Sequence, residues 1–293
     1  MALLQDLFST ARPVIGVVHL LPLPTSPRWA GSLETVLTRA EQEATALASG
    51  GVNGIIIENY FDAPFVPAQV DPAVVSAMSL VVKRVMRHVT IPVGINVLRN
   101  DARAALAISA CTGAQFIRVN VLTGAMVTDQ GIIEGEAHKI LRYRRELGTS
   151  TLIFADILVK HGTPLGPTSV HQATRDTVER GLADAVILSG AATGDPPGLE
   201  DLEAARSAVP GCPVLIGSGA TIENVNRLLA LGDGVIVASA LKRHGQIDQP
   251  IDPQRARRFV EAVGYAGVNG LPIGHAPAEL ELGGAGFPTL TPQ

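Results

Sequence analysis

The sequence has few aromatic residues, few charged residues and only two cysteines, and these shortages narrow the class of protein. Of its 293 residues, 4% are aromatic and 17% are charged, whereas 46% are hydrophobic. The formal net charge is −4 and there is no long basic run, which argues against nucleic acid as the main partner. No uninterrupted apolar run approaches the roughly 20 residues of a membrane-spanning helix, so any membrane contact would be peripheral.

The cysteines and the amino-terminal segment predict a cytoplasmic protein. Cys111 and Cys212 are far apart, and neither belongs to a CxxC pair or to a metal-binding spacing. We therefore interpret both as buried or inert thiols, which suits a reducing compartment. Residues 1–12 lack a basic start followed by a long apolar run, so no signal peptide is expected.

What the chain does contain is a repeated order of strand and helix. Short apolar runs predict eight strands, at residues 14–19, 52–58, 92–97, 114–120, 151–157, 183–189, 213–217 and 234–238. These runs are continuous rather than alternating, as expected of parallel strands buried on both faces. Eight strand–helix units predict an α/β fold, a single (β/α)8 TIM barrel. A doubly wound open sheet is the rival, but the GxGxxG expected after its first strand is missing.

The helices between the strands are predicted from their start and stop signals. They cover residues 32–49, 71–88, 100–113, 136–148, 169–181, 199–208, 221–231 and 252–263, and a longer loop covers residues 121–135. Ser32 and Asn100 are the expected N-caps of the first and third helices. Residues 1–263 are therefore predicted to form one barrel domain, and the Gly- and Pro-rich residues 264–293 an irregular or disordered extension.

Two turns of small residues, 217–219 and 238–239, follow the seventh and eighth strands, and a helical pattern begins after each. Small residues let backbone N–H groups approach an anion closely, and a helix N-terminus adds a favourable dipole. In a TIM barrel these two loops form the usual phosphate site, and the loop after the sixth strand can help. The predicted phosphate-binding residues are Ser189, Thr193, Gly217, Ser218, Gly219, Ala238 and Ser239.

Ionisable residues end several strands whose bodies are apolar, and the ends of barrel strands meet at one rim. The catalytic candidates are Glu58, Asp156, Lys160 and His19. The carboxylates and the imidazole would move protons, whereas Lys160 would be a general base, a phosphate ligand or a Schiff-base nucleophile. The alternative roles are structural: ion pairs of the two carboxylates with Arg118 and Lys160, a hydrogen-bonded His19, and an exposed Lys160.

Other polar residues at the same rim are interpreted as ligands for the hydroxyl groups of a sugar-like substrate. Arginine within a strand is costly unless it meets an anion or a carboxylate. The asparagines are alternatively turn or cap residues, and Arg99 is alternatively a solvated residue. The predicted substrate-binding residues are Asn59, Asn96, Arg118, Asn120 and His161.

No cofactor is predicted, because the sequence has neither an HExxH motif nor paired CxxC motifs. A divalent ion is the weaker alternative, and its candidate ligands are Glu58, Asp62, Asp156 and His19. The remaining histidines are expected at the surface; they are His88, His138, His171 and His244.

Six segments of the chain resemble the BtpA/SgcQ family. They are HLLPLP at 19–24, IENYFDAPF at 57–65, GINVLRND at 94–101, FIRVN at 116–120, ADILVKH at 155–161 and IGSG at 216–219. The resemblance covers roughly residues 14–263 and implies a TIM barrel of the ribulose-phosphate-binding type. It also implies two different functions. One branch of the family is linked to the assembly or stability of photosystem I as peripheral thylakoid proteins, and others resemble enzymes of sugar metabolism.

Three functional hypotheses result. The first is an enzyme that acts on a small phosphorylated, sugar-like metabolite by isomerisation, epimerisation or aldolase-type cleavage. The second is a photosystem I assembly or stability factor that uses the barrel as a peripheral scaffold. The third is a sensor that binds a phosphorylated metabolite without turnover. The row of costly ionisable groups favours the enzyme. A homo-oligomer is expected, since exposed barrel helices commonly associate.

Overall fold

The computed structural model describes residues 2–190, 192 and 194–268, which form a closed parallel barrel of eight strands. Its strands are β1 Val14–His19, β2 Gly54–Glu58, β3 Val93–Asn96, β4 Phe116–Val119, β7 Leu152–Asp156, β9 Ala185–Leu188, β10 Val214–Ile216 and β11 Gly234–Val237. Around the ring their order is β1-β11-β10-β9-β7-β4-β3-β2. The predicted TIM barrel is confirmed, and every barrel strand lies within its predicted range.

The register of the strands places polar residues side by side at the carboxyl end of the barrel. His19 of β1 pairs with Glu58 of β2, and Glu58 pairs with Asn96 of β3. The bodies of these strands are buried along their whole length, because helices cover the outside and side chains fill the inside. His19, Glu58 and Asn96, on three neighbouring strands, therefore lie at one level of the rim.

Helices lie outside the barrel between its strands. They are α1 Ala2–Phe8, α2 Leu33–Ser49, α3 Pro72–Val85, α4 Ala102–Thr112, α5 Ala137–Glu146, α6 Val170–Arg175, α7 Leu199–Ala208, α8 Val225–Leu228 and α9 Pro253–Val268. A π-helical turn, Asp176–Arg180, continues α6. Helix α9 continues past the predicted end at residue 263, and residues 269–293 of the predicted extension lie outside the described part of the chain.

One predicted helix cap is correct and one is wrong. The Ser32 hydroxyl accepts a hydrogen bond from the Thr35 N–H at the start of α2. Helix α4 is capped by Asp101, whose carboxylate accepts from the Ala104 N–H at 2.9 Å, and not by Asn100. Asn100 has a φ of +69°, a conformation that asparagine tolerates, and its side chain bonds both backbone groups of Val121. Asn100 therefore joins two loops of the rim.

Helix α1 closes the amino-terminal end of the barrel. Phe8 packs edge-on against Phe116 with their ring centroids 5.6 Å apart, and Phe116 stacks on Phe154 at 4.9 Å. Leu4 is fully buried in the same cluster. The sequence analysis missed α1 because seven residues are too few for a helical hydrophobic period to stand out.

A small antiparallel sheet interrupts the predicted loop at 121–135. It consists of β5 Ala125–Thr128, β6 Gly131–Glu134 and β8 Gly162–Pro164, in the order β6-β5-β8. The prediction of an irregular loop is therefore wrong over most of its length. Since β5 and β6 follow β4, and β8 follows β7, this sheet stands at the carboxyl end of the barrel. The two-residue turn of its hairpin, Asp129 and Gln130, reaches the mouth.

No helix among the described residues is long and apolar enough to cross a membrane. Both cysteines are free thiols, and Cys111 is exposed rather than buried. Cys212 is partly buried, and desolvation, with Asp184 and Asp233 nearby, raises its pKa to about 11, which keeps the thiol protonated and unreactive at neutral pH. The four remaining histidines are exposed as predicted: His88, His138, His171 and His244.

Candidate functional site

A cavity of about 850 Å³ opens at the carboxyl ends of the barrel strands. It collects most of the predicted site residues from seven places on the rim. Three catalytic candidates line it: His19, Glu58 and Lys160. Four substrate-binding candidates line it: Asn96, Arg118, Asn120 and His161. Five phosphate-binding candidates line it: Gly217, Ser218, Gly219, Ala238 and Ser239.

Arg118 of β4 lies at the floor of the cavity and is tied to two carboxylates. Its Nε and Nη2 donate to the Asp156 carboxylate at 2.9 and 2.8 Å, and its Nη1 donates to Glu58 at 3.4 Å. Burial alone would lower the pKa of Arg118, but Asp156 and Glu58 outweigh burial and raise it. Asp156 and Glu58 are therefore both ion-paired with Arg118, which is the structural role considered as the alternative to catalysis.

Asp156 does not line the cavity, although it was predicted to be catalytic. Besides Arg118, its carboxylate accepts from the Asn120 Nδ2 at 2.9 Å, and the residue is buried. Three donors from two side chains thus occupy the Asp156 carboxylate within the protein. In this structure Asp156 holds Arg118 and Asn120 in place.

Glu58 and His19 form an acid–imidazole pair at the cavity wall. The His19 Nε2 lies 3.7 Å from Glu58, which also accepts from the Asn96 Nδ2 at 3.1 Å. Tyr60 stacks on the His19 ring with centroids 4.4 Å apart. Burial, and then the positive charges of Lys242, Lys160 and Arg118, lower the pKa of His19 well below its ordinary value. His19 is therefore neutral at physiological pH.

Lys160 follows β7 and extends into the cavity. Its amine forms no hydrogen bond and no ion pair with any described residue, in contrast to Arg118. Burial and then Arg118 lower its pKa, although Glu58 and Asp156 oppose the change. Its neighbours Leu158 and His161 have φ values of +47° and +59°, an uncommon conformation for bulky side chains. His161 has its own pKa lowered by burial and then by Lys160 and Arg99.

The turn after β10 is tightly packed against the loop that follows β9. A Cβ at Gly219, where φ is +69°, would lie 2.1 Å from the Pro196 nitrogen, and one at Gly217 would lie 2.5 Å from the Ser189 Oγ. Gly219 is therefore required first by the approach of the Pro196 backbone, and Gly217 by the approach of the Ser189 side chain. The N–H groups of Ser218, Gly219 and Ala220 nevertheless donate to no acceptor among the described residues.

The helices expected directly after the two turns are not there. Helix α8 covers only Val225–Leu228 instead of residues 221–231, and the residues after β11 form a short 3₁₀-helix, Ser239–Leu241. A helix dipole therefore adds little at either turn. Arg255, from the first turn of α9, supplies positive charge instead: its Nε donates to the Ala240 carbonyl at 3.0 Å, and it lines the cavity.

Besides Asp156, three predicted site residues are not among those that line the cavity. Asn59 is buried, where its Oδ1 accepts from the Leu98 N–H at 2.7 Å and its Nδ2 donates to Asp62. Ser189 is partly buried beneath the turn after β10. Thr193 lies outside the described residues. Asn59 therefore shapes the loop after β2, as its turn-residue alternative predicted.

Buried polar atoms without partners concentrate at this cavity. Buried polar atoms are nearly always hydrogen-bonded to protein or water. Six side-chain atoms are buried and have no hydrogen-bond partner among the described residues: His19 Nδ1, Asn96 Oδ1, Arg99 Nε, Asn120 Oδ1, Gln130 Oε1 and Ser189 Oγ. All but Ser189 belong to residues that line the cavity. The cavity is thus equipped to hydrogen-bond a polar ligand.

Within the described part of the chain, no group of three or more His, Cys, Asp or Glu residues is placed to hold a metal ion. Two of the four suggested ligands are engaged by other protein groups. Asp156 pairs with Arg118, and Asp62 accepts from the Leu23 N–H at 2.7 Å and from Asn59.

Several residues of the cavity were not predicted from the sequence. Arg99, for which a solvated position is the alternative, is buried at the rim after β3. Tyr60 and Phe61 lie two and three residues after the strand-ending Glu58, and that position could have identified them. Asp129 and Gln130 could not have been identified without the unrecognised hairpin.

Comparison with known proteins identifies the family. Residues 10–265 match the model of the BtpA family. The chain belongs to the BtpA family. It is 64% identical to the photosystem I biogenesis protein BtpA of Synechocystis over 87% of this chain and 89% of that protein. It is also 44% identical to the uncharacterized protein PF0860 of Pyrococcus furiosus, over 88% of this chain and 97% of that one.

Comparison with solved structures supports the fold. A native KDPGal structure superposes with a TM-score of 0.57 at 15% sequence identity, covering 89% of this chain and 98% of that one. At this identity the likeness establishes the TIM barrel and nothing about the reaction.

Proposed function

We propose that this BtpA-family protein is an enzyme that acts on a small phosphorylated, sugar-like metabolite. The observation that supports this proposal best is that one cavity of about 850 Å³ is lined both by the small-residue turns after β10 and β11 and by buried ionisable side chains. Its size suits a metabolite rather than a macromolecule. Its unpaired polar atoms suit a substrate rich in hydroxyl groups.

The phosphate would lie between the turns at residues 217–219 and 238–239. The unengaged N–H groups of Gly219 and Ala220 would donate to it, together with the Ser239 hydroxyl. Arg255 adds a cation at this end of the cavity. Glu223 also lines the cavity, and a hydrogen bond from the Thr221 hydroxyl lowers the pKa of its carboxyl, so this side chain is anionic and opposes part of the positive charge of Arg255. The backbone N–H groups, the Ser239 hydroxyl and Arg255 would together bind one phosphate against this single carboxylate.

Lys160 is the group best placed to react. A lysine whose pKa is lowered by burial and a neighbouring guanidinium has a larger neutral fraction at pH 7, and only the neutral amine is nucleophilic. Its nitrogen would attack a substrate carbonyl carbon, and the carbonyl oxygen would leave as water, giving an imine. Alternatively the neutral amine would remove a proton next to the carbonyl, as in an isomerase.

Glu58 and His19 would assist by moving protons on the opposite side of the substrate. Neutral His19 can donate through one ring nitrogen and accept through the other. Glu58 is held by Asn96 and Arg118, so its carboxylate has a fixed orientation. Positioned acid–base groups contribute on the order of 10²–10⁴-fold in rate.

Binding is tested first, by calorimetry with glucitol 6-phosphate and fructose 6-phosphate. The unmodified protein should bind, and Ser239→Asp should abolish binding because it adds a negative charge at the turn. Ser239 is preferable to Gly219 for this test, since any side chain at Gly219 would collide with the backbone of Pro196. Ser207→Asp, on the exposed face of α7, is the matched control. The absence of binding to every phosphorylated sugar tested would contradict the proposal.

Reaction type is tested by borohydride reduction in the presence of phosphorylated ketoses and aldoses, followed by mass spectrometry. A reduced adduct on Lys160, absent from Lys160→Met, supports the imine. The exposed Lys83→Met is the matched control. Exchange of a substrate proton with solvent but no adduct would favour isomerisation. Binding with neither adduct nor exchange would leave the sensor hypothesis.

A role in photosystem I biogenesis is the second candidate, and the 64% identity to the Synechocystis protein favours it. The two candidates make different predictions for a Synechocystis strain that lacks its own BtpA. If the barrel acts as a scaffold, this chain should restore photosystem I in that strain even when it carries Lys160→Met or Ser239→Asp. If the photosystem phenotype depends on chemistry in the cavity, both variants should fail while the Ser207→Asp control succeeds.

A further inference from the structure

Arg99 is a buried arginine at the rim that lacks a counter-ion. It is 6% exposed, yet it forms no salt bridge with any carboxylate of the described residues. Its Nη2 donates to the Lys160 carbonyl at 2.9 Å, while its Nε is buried without a partner. Arg118, in the same cavity, meets two carboxylates. The charge of Arg118 is therefore compensated by direct ion pairs, whereas the charge of Arg99 is not.

An unpaired buried guanidinium is costly. A buried charge is normally paired, and a buried N–H is normally hydrogen-bonded. A purely structural role, holding the loop after β7, would explain the bond to the Lys160 carbonyl. It would not explain the unpaired Nε, since one carbonyl satisfies only one of the five N–H donors of arginine. An anion in the cavity would accept a hydrogen bond from the unpaired Nε of Arg99.

The position of Arg99 is fixed by the backbone around it. Its N–H donates to the Val66 carbonyl at 3.4 Å, and its carbonyl accepts from the Ala68 N–H at 3.2 Å. These bonds tie the loop after β3 to the loop after β2. The guanidinium then reaches across to the loop after β7, so both ends of the residue are anchored.

Arg99 stands across the mouth from the proposed phosphate site. In the ring order β1-β11-β10-β9-β7-β4-β3-β2, strand β3 lies four places from β10, which is diametrically opposite in a ring of eight. The loop after β3 therefore faces the turn after β10. A ligand whose phosphate lies at residues 217–219 would extend its other end toward Arg99.

The surroundings of Arg99 carry charges of both signs. Lys160 and His161 line the same part of the cavity. Two carboxylates act on the guanidinium, first Asp156 and then Asp129. Asp156 is paired with Arg118, and Asp129 is exposed and accepts a hydrogen bond from the Gln130 amide. Neither carboxylate forms an ion pair with Arg99, so among the described residues its guanidinium has no direct counter-ion.

We propose that Arg99 forms a second anion site and that the substrate carries an oxyanion at the end remote from its phosphate. That oxyanion is a carboxylate or a second phosphate, both of which match the planar donors of a guanidinium. This inference rests on the proposed phosphate site after β10 and β11. It narrows the substrate class from sugar phosphates in general to phosphorylated sugar acids or bisphosphates.

The test compares ligands that differ only at the end remote from the phosphate. Calorimetry would measure the Kd values of 6-phosphogluconate and glucitol 6-phosphate, and of 3-phosphoglycerate and glycerol 3-phosphate. Fructose 1,6-bisphosphate and fructose 6-phosphate form a third pair, which distinguishes a second phosphate from a carboxylate. In at least one pair the doubly anionic ligand should bind about tenfold more tightly or better, which corresponds to roughly 1.4 kcal/mol.

Variants then assign that preference to Arg99. Arg99→Gln should remove the preference and leave the Kd of the singly anionic partner within about twofold, whereas Arg99→Lys should retain part of it because the charge remains. Arg87→Gln, an exposed arginine outside the cavity, removes the same charge and should change nothing.

The possible failures are distinguishable. If singly anionic sugar phosphates bind but no doubly anionic partner binds more tightly, the second anion site is wrong and the phosphate site stands. An equal loss of affinity for both members of a pair in Arg99→Gln would also overturn the inference, because it would indicate a structural role. If no ligand of either kind binds the unmodified protein, the proposed function fails and this inference fails with it.

Discussion

The two ends of the barrel are built from the same strands but in opposite ways. At the amino end, Phe8 and Leu4 of α1 close the interior against Phe116 and Phe154, and this cluster is entirely apolar. At the carboxyl end a cavity remains open, and five of its lining residues have buried polar atoms without partners. One end therefore supports stability, while the other leaves polar groups unpaired, as a binding site requires.

Within the carboxyl end, the two arginines differ: Arg118 is compensated by two carboxylates, whereas Arg99 is not.

Glycine does not distinguish the two ends. A Cβ at Gly94, deeper in the barrel, would lie 2.2 Å from the Phe116 ring, and a Cβ at Gly219, at the rim, would lie 2.1 Å from the Pro196 nitrogen. Close packing therefore explains both glycines, whereas the unengaged N–H groups and the unpaired polar side-chain atoms occur at the rim.

The largest effect is expected at the closed end. Phe154→Ala removes a fully buried ring that stacks on Phe116, and it should lower the free energy of unfolding by about 4 kcal/mol. Ile132→Ala, on the exposed face of β6, should cost less than about 0.5 kcal/mol. Denaturant unfolding measures both. Similar losses of unfolding free energy in the two variants would contradict the conclusion that the amino end is closely packed and the carboxyl end is open.

The next largest effect is expected at Arg118. Arg118→Met leaves the buried carboxylates of Asp156 and Glu58 without their counter-ion and should cost about 3 kcal/mol. Adding Asp156→Asn should recover part of this loss, because one of the uncompensated charges is removed. A double variant no more stable than Arg118→Met alone would show that the ion pair is not the reason for the loss.

A pH-dependent effect is expected at His19. Burial lowers its pKa in the folded chain, so below about pH 6.5 the unfolded chain binds a proton that the folded chain does not. Stability should therefore fall as the pH drops below that value, by at most about 1.4 kcal/mol per pH unit from this group. Unfolding measured from pH 7.5 to 5 should show a shallower fall in His19→Asn. A slope unchanged relative to the exposed control His171→Asn would contradict the buried, neutral imidazole.

The smallest effect on stability is expected at Ser239, in the turn after β11. Ser239→Ala removes a hydroxyl that lines the cavity, and the free energy of unfolding should change by less than about 0.5 kcal/mol. The affinity for glucitol 6-phosphate should nevertheless fall about fivefold, the value of one hydrogen bond. A large loss of stability with unchanged affinity would mean that Ser239 belongs to the packing of the barrel and not to the site.

The sequence was sufficient for the barrel and for most of its rim. Continuous apolar runs locate parallel strands, and since the carboxyl ends of all barrel strands face one way, residues such as Glu58, Lys160 and Ser239 could be grouped without coordinates. The ion pair of Asp156 with Arg118 could not be predicted in the same way, because it depends on which side chains of β4 and β7 point inward at the same level.

Other features depend on contacts between distant segments. Helix α1 is stabilised by packing against Phe116 and Phe154, which lie more than a hundred residues away in the sequence. The antiparallel sheet forms only because β8 pairs with β5. The choice of Asp101 over Asn100 as the cap of α4 depends on the two bonds that Asn100 makes to Val121. No local pattern in the sequence contains this information.

A crystal structure with glucitol 6-phosphate would show whether the two turns after β10 and β11 hold the phosphate of a substrate. We expect density for the phosphate between residues 217–219 and 238–239, with the polyol chain extending toward Arg99 and Lys160. A phosphate bound elsewhere on the molecule, with the cavity holding only water, would contradict this expectation.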